Sequence, residues 1–231
     1  MSAWEILDRA RTPDGGELIL SRRNTEYVIR IGGSELMSNR GSFSEEEMAR
    51  IAAARLSGRA APRFLIGGLG MGFTTRAALD ALPKDAEVTV AEIVPSVVDW
   101  NRGPLSHLCG QPLSDPRTRI QLIDVARLIA TTPERFDAIL LDVDNGPRGL
   151  TRKSNEVLYS PVGLASIKRA LRPGGLVCVW SAGPDYDFQD RLKRAGFATD
   201  TRMVRARGPQ GGARHTLFFG VLSDILKGSR K

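Results

Sequence analysis

Glycines at positions 68, 70 and 72 punctuate the apolar run FLIGGLGMGF (64–73), and carboxylates follow at Glu92, Asp124, Asp142 and Asp144. Glycine carries an entropic cost, tolerated where the chain must take a positive φ or let a ligand approach with no Cβ in the way. Ionised carboxylates accept hydrogen bonds from hydroxyl and amino groups, and two of them close together raise each other's proton affinity. The first group of residues suits holding a polar ligand. The Asp142–Asp144 pair suits anchoring an amine and taking its proton.

These residues need a scaffold, and the chain supplies one. RFLIGG (63–68) reads as a buried strand and TTRAALDAL (74–82) as a helix, so the glycines join a strand to a helix. EVTVAEI (87–93) is a strand, PSVVDWNRG (95–103) a helix opened by Pro95, RIQLID (119–124) a strand and VARLIAT (125–131) a short helix. FDAILLD (136–142) is an almost continuous apolar strand. SPVGLASIKRALRPGG (160–175) reads as a helix closed by Pro-Gly-Gly, followed by strand LVCVWSA (176–182), helix DYDFQDRLKRAGF (185–197) and strand HTLFFGVL (215–222). Continuous apolar strands separated by helices predict an α/β fold, a mostly parallel sheet with helices on both faces.

Upstream, ELILSR (17–22) and EYVIRI (26–31) flank Arg23-Asn24-Thr25 as a hairpin. Residues 36–43 lead into SEEEMARIAAARL, where Ser44 and Glu47 have capping-box spacing. The expected organisation is a small β-hairpin region at 1–43 and a larger α/β domain at 44–231.

The spacing of the glycines discriminates among ligands. A dinucleotide fingerprint G-x-G-x-x-G begun at Gly68 requires glycine where Phe73 stands, and one begun at Gly67 fails at Leu69. The Gly-Lys-Ser/Thr of a P-loop is absent. The remaining pattern, G-x-G-x-G, resembles the nucleoside-binding loop of class I S-adenosylmethionine-dependent enzymes. Glu92, 24 positions after Gly68 at the end of the second strand of this domain, suits both hydroxyls of a ribose. Asp124 ends the third strand, where a side chain reaches an adenine amino group or caps the next helix; Ile93 and Val125 neighbour these two in the same site. All fall at the carboxyl ends of parallel strands, the ligand-binding edge of an open α/β sheet.

At this point the order GGLGMG, VTVAEIVP, IQLIDVARLIA, FDAILLDVDNGP and LYSPVGLASIKRALRPGGLVCVWS resembles the spermidine/spermine synthase (polyamine aminopropyltransferase) family over roughly residues 17–220. The resemblance implies a Rossmann-like class I methyltransferase fold with a seven-stranded sheet, an adenosyl-binding catalytic domain at 44–231, and transfer of an aminopropyl group from decarboxylated S-adenosylmethionine to an amine. It would make Gly68, Gly70 and Gly72 the donor loop, Glu92 the ribose ligand, Asp124 the adenine contact and Asp142 the general base. Asp144, Asn145, Tyr159 and Glu46 would then face the amine. The sequence departs from the family pattern at three places. Gly70 stands where the family carries a loop aspartate, the two acidic residues after the fourth strand are two rather than three positions apart, and Glu45-Glu46-Glu47 replaces a Tyr-His-Glu.

Bulk properties bound the alternatives. With 42% hydrophobic and 26% charged residues the chain has ordinary globular composition. It contains no apolar run of membrane-spanning length and a charged N-terminus, so a cytoplasmic protein without a membrane partner is expected. Cys109, Cys178, His107 and His215 have no metal-ligand spacing, and no metal is expected. The net charge of +7 admits anionic partners, but the arginines are scattered apart from RMVRARGPQGGAR (202–214), which disfavours nucleic acid. The expected partner is a small-molecule amine, with a homodimer left open. Segment 144–158 has the composition of a lid. An S-adenosylmethionine-dependent methyltransferase and a non-catalytic nucleoside-binding protein are the competing readings.

Overall fold

A computed structural model describes residues 2–143, 146–147 and 157–223. The N-terminal strands β1 (Glu5–Arg11), β2 (Glu17–Arg23), β3 (Glu26–Ile31) and β4 (Ser34–Ser38) pair antiparallel in the order β1-β2-β3-β4. The expected hairpin is the centre of this sheet. Its outer strands escape a sequence reading because EILDRAR buries only Ala10 and SELMS buries nothing fully.

Helix α1 (Phe43–Arg55) leads into the alternating region: β5 (Arg63–Gly67), α2 (Phe73–Ala81), β6 (Glu87–Glu92), α3 (Pro95–Arg102), β7 (Thr118–Leu122), α4 (Val125–Thr131), β8 (Phe136–Leu141), α5 (Pro161–Ala170), β9 (Leu171–Ser181), α6 (Tyr186–Arg194), β10 (Phe197–Arg205) and β11 (Arg214–Leu222). The second sheet has seven strands in the order β10-β11-β9-β8-β5-β6-β7. Pairings from β7 through β9 are parallel, whereas β11 is antiparallel to both β9 and β10. Order reverses between β5 and β8, which opens a crevice at their carboxyl ends.

Both faces of the sheet are covered, and strand alternation divides them. Phe64 and Ile66 of β5 point into a core shared with α1, α2, α3 and the N-terminal sheet through Met48, Ala78, Val98, Leu20 and Ile29. Leu65 points the opposite way, into a core with Leu128 of α4, Ile167 of α5 and Phe188 of α6. Each fully buried aliphatic or aromatic side chain contributes about 1.5–3 kcal/mol, so the two layers fix the strand ends at which the acidic residues sit.

Two sequence expectations are corrected here. The Pro-Gly-Gly at 173–175 does not end a helix: α5 stops at Ala170, and Leu171 already pairs with Phe136 in the sheet. The three residues are absorbed where the β8–β9 register shifts, with Gly174 at φ +68°. Ser44 is not a helix cap. Helix α1 begins one residue earlier, and the Ser44 side chain is buried, bonding to His215 and Trp180. Strand β10 was not foreseen, because FATDTRMVR buries only Phe197 and carries charge along its length, as sheet edges often do.

Candidate active site

The glycine loop runs from β5 to α2 with Gly68, Gly70 and Gly72 at φ +85°, +54° and +87°. The requirement for glycine is steric as well as conformational at Gly68, where a Cβ would lie 2.7 Å from the carbonyl oxygen of Asp142. Strands β5 and β8 therefore converge at their carboxyl ends, and Asp142 N–H donates to the Gly67 carbonyl at 3.1 Å.

Glu92 closes the loop from the other side. It is only 7% exposed. Its Oε2 accepts the Leu69 N–H at 3.0 Å, and its Oε1 accepts the Ile93 and Val94 N–H groups at 2.8 Å each. Three backbone donors hold the carboxylate in one orientation. Asn101 of α3 secures the loop further, its Nδ2 donating to the Gly70 carbonyl at 2.8 Å. Asp124 caps α4, accepting from the Ala126 and Arg127 N–H groups at 2.8 and 3.3 Å.

A cleft of about 840 Å³, including its mouth, lies over these residues. Gly68, Gly70, Glu92, Ile93, Asp124, Val125 and Asp142 all line it. Its opposite wall comes from the N-terminal sheet, through Leu18, Ile29, Ile31, Leu36 and Met37. Gly72 stands behind the cleft, where a Cβ would press on Asn101 and Pro112 at 3.0 and 3.2 Å. An apolar cavity with a few convergent polar groups is the usual form of a small-molecule site. The sequence did not reveal the N-terminal sheet as a wall of this cleft, since β4 contributes Leu36 and Met37 from a strand with no clear period.

Asp142 sits just past the end of β8. Thr74 Oγ1 of α2 donates to its Oδ2 at 3.4 Å. Burial pushes the Asp142 carboxyl up to about 6, and the Thr74 hydroxyl opposes that rise. The neighbouring charge belongs to Glu45 in the first turn of α1. Burial, then the nearby Asp142, then Glu46 drive the Glu45 carboxyl well above the ordinary range.

The structure separates Glu46 from this pair. Glu46 forms an ion pair with Arg50 and accepts a hydrogen bond from Ser42 Oγ at 2.8 Å, while Glu47 also bonds Arg50. The sequence held the signal. Arg50 lies four and three positions beyond Glu46 and Glu47, on the same helix face, whereas the equivalent positions for Glu45 are Met48 and Ala49. Tyr159 lies in the core beneath the site, its ring edge-on to Phe188 and its hydroxyl donating to the Val143 carbonyl at 3.4 Å. It braces the residue after Asp142 and does not line the cleft. Asp144 and Asn145 lie outside the described residues, as does most of the segment read as a lid. No group of metal-ligating side chains occurs among the described residues, and no described helix is long and apolar enough to cross a membrane.

Comparison with known proteins identifies the arrangement. The family model described as "Spermine/spermidine synthase domain" matches residues 20–190. The chain is 30% identical to polyamine aminopropyltransferase 1 of Pseudomonas aeruginosa, over 96% of its own length and 77% of that protein's. It is 31% identical to putrescine N-methyltransferase 2 of Nicotiana attenuata, over 65% of its length and 39% of the relative's. Among solved structures, a spermidine synthase in complex with the transition state analogue AdoDATO superposes with a TM-score of 0.73 at 18% identity, covering 95% of this chain and 74% of that one. The glycine loop after β5, the buried Glu92 that ends β6 and Asp142 at the crevice thus stand on the scaffold of that fold, and the chain belongs to the spermine/spermidine synthase family.

Proposed function

We propose that the protein transfers an aminopropyl group from decarboxylated S-adenosylmethionine to a small amine. The observation that carries the reading is the juxtaposition, in one cleft, of the Glu92-anchored glycine loop with Asp142, a carboxyl pushed up to about 6.

In this reading the loop of Gly68 and Gly70 takes the donor nucleoside, with Glu92 and Asp124 as the polar contacts and Ile93 and Val125 as apolar ones. The acceptor arrives as an ammonium and is drawn to ionised Asp142, and its charge in turn favours ionisation of the neighbouring Glu45. Near neutral pH Asp142 is mostly ionised but more basic than an ordinary aspartate, which favours proton removal. Once Asp142 takes the proton, the nitrogen lone pair attacks the methylene carbon bonded to the sulfonium. The carbon–sulfur bond breaks, its electron pair stays on sulfur, and methylthioadenosine leaves as a neutral thioether. The positive charge has passed from sulfur to the alkylated nitrogen, which leaves as an ammonium, and Asp142 keeps the one proton it took from the acceptor before attack. Thr74 orients the Asp142 carboxylate for this step.

A second reading, methyl transfer from intact S-adenosylmethionine to an amine, draws on Gly70. That position faces Met37 and bears no carboxylate to grip a donor's ammonium, and one curated relative is named for amine methylation. Incubation with either donor and a panel of diamines separates the two. Methylthioadenosine release from the decarboxylated donor is expected. S-adenosylhomocysteine from the intact donor, with no methylthioadenosine, would establish the second reading instead.

A further inference from the structure

Three side chains outside the cleft take hold of the helix that carries Glu45. Ser44 is fully buried in the first turn of α1, and its Oγ lies 3.1 Å from Trp180 Nε1 of β9 and 2.8 Å from His215 Nδ1 of β11. An indole N–H only donates, so Ser44 Oγ accepts from Trp180. The single hydroxyl proton of Ser44 is then directed at His215 Nδ1, which places the imidazole's own proton on Nε2. The His215 ring also packs edge-on to Trp180, with centroids 4.5 Å apart. Burial lowers the His215 pKa, which favours the same neutral form.

The location gives this bracket a purpose. Leu141 of β8 pairs with Val179 of β9, so Trp180 stands level with Asp142 on the adjacent strand. Ser44 immediately precedes Glu45. The N-cap residue of α1, Ser42, makes no side-chain cap bond, and the helix start is tied instead to the β10–β11 connection, where Phe43 N–H donates to the Ala206 carbonyl at 3.1 Å. The indole, the hydroxyl and the imidazole therefore connect the strand beside Asp142 to the turn bearing its partner.

We propose that His215 is a positioning residue for the acceptor site, acting through Ser44 and Trp180 to fix the turn that bears Glu45 beside the strand end at Asp142. The proposal rests on the aminopropyl-transfer reading for its consequence, but its geometry can be tested without turnover.

The test compares wild type with His215→Leu and His215→Asn. The asparagine side-chain oxygen falls where Nδ1 stands and can accept the Ser44 proton; leucine cannot. Carbon-13 NMR titration of Glu45 and the acceptor KM are measured on each, alongside methylthioadenosine affinity. His215→Leu is expected to lower the Glu45 midpoint by at least half a pH unit, as the carboxyl moves away from Asp142, and to raise the acceptor KM at least fivefold. Nucleoside affinity should stay within twofold, and His215→Asn should restore most of both changes. A folded His215→Leu with wild-type midpoint and KM would overturn the proposal, as would His215→Asn as impaired as the leucine variant. Should His215→Leu fail to fold, Trp180→Phe removes the indole donor while keeping a ring beside His215, and the same shifts are required of it. Wild-type protein that binds no nucleoside would refute the functional reading, yet the Glu45 titration would still decide the positioning role.

Discussion

Glu92 Oε2 accepts the backbone N–H of Leu69 at 3.0 Å, so the residue suited to a sugar is also the fastener of the loop around it. With Ile93 and Val94 donating to Oε1, Glu92→Gln removes one acceptor oxygen and introduces a donor among N–H groups. The variant should lose about 1–3 kcal/mol of stability and bind methylthioadenosine more weakly. Thermal unfolding and calorimetry check both. A variant with wild-type melting and affinity would contradict this double role.

Asp142→Asn should spare nucleoside binding and lower kcat by roughly 10²–10⁴, the range of general-base catalysis. The pH dependence follows from the same group. The Asp142 carboxyl titrates at about 6 in the folded protein, against roughly 3.9 in an unfolded chain. The base is active when ionised, so kcat/KM should fall as pH drops through about 6. Stability runs oppositely. Between about pH 4 and 6 the folded state binds more protons than the unfolded one, so stability falls as pH rises through that window. Asp142→Asn should remove this slope and gain on the order of 2 kcal/mol at neutral pH, as measured by denaturant titration at pH 4, 5, 6 and 7.

Gly70→Asp tests donor discrimination. Position 70 has φ +54°, which aspartate tolerates better than most residues, and the added Cβ would meet only the flexible end of Met37, at 3.1–3.2 Å. A charge-assisted hydrogen bond to a donor ammonium contributes about 1.5–3 kcal/mol. The variant should therefore favour decarboxylated over intact donor by roughly 10- to 100-fold more than wild type does. Competition binding with both donors reads the ratio; no change would mean that the donor's tail does not pass Gly70.

Asp124→Asn preserves a side-chain oxygen for the Ala126 and Arg127 N–H groups, whereas Asp124→Ala does not. Alanine should cost about 1 kcal/mol of stability through loss of the cap, and asparagine much less. If Asp124 also serves the nucleobase, both variants should weaken methylthioadenosine. Equal affinity in the asparagine variant and wild type would confine the residue to capping.

The parts of this molecule legible in its sequence were those with a strong period or a steric reason. Strands β5, β6 and β8 are buried on both faces and read as unbroken apolar runs, and the glycines of the loop stand at positive φ, Gly68 hard against the Asp142 backbone. Illegible parts depended on partners distant in the chain. Ser44 has the local signature of a cap, yet the indole and imidazole that claim it come from residues 180 and 215. The charged strand β10 is defined by its ladder to β11, not by its own pattern. Glu46 was named for the amine site over Glu45 because three consecutive glutamates look alike until a helix turns two of them toward Arg50.

The central claim is that the cleft between the glycine loop and the N-terminal sheet holds an adenosyl thioether. Calorimetric titration of the wild-type chain with methylthioadenosine tests it most directly. The account predicts saturable heat with one site per chain, diminished in Glu92→Gln and retained in Asp142→Asn. Absence of heat from the folded wild-type protein, or binding indifferent to Glu92, would contradict it.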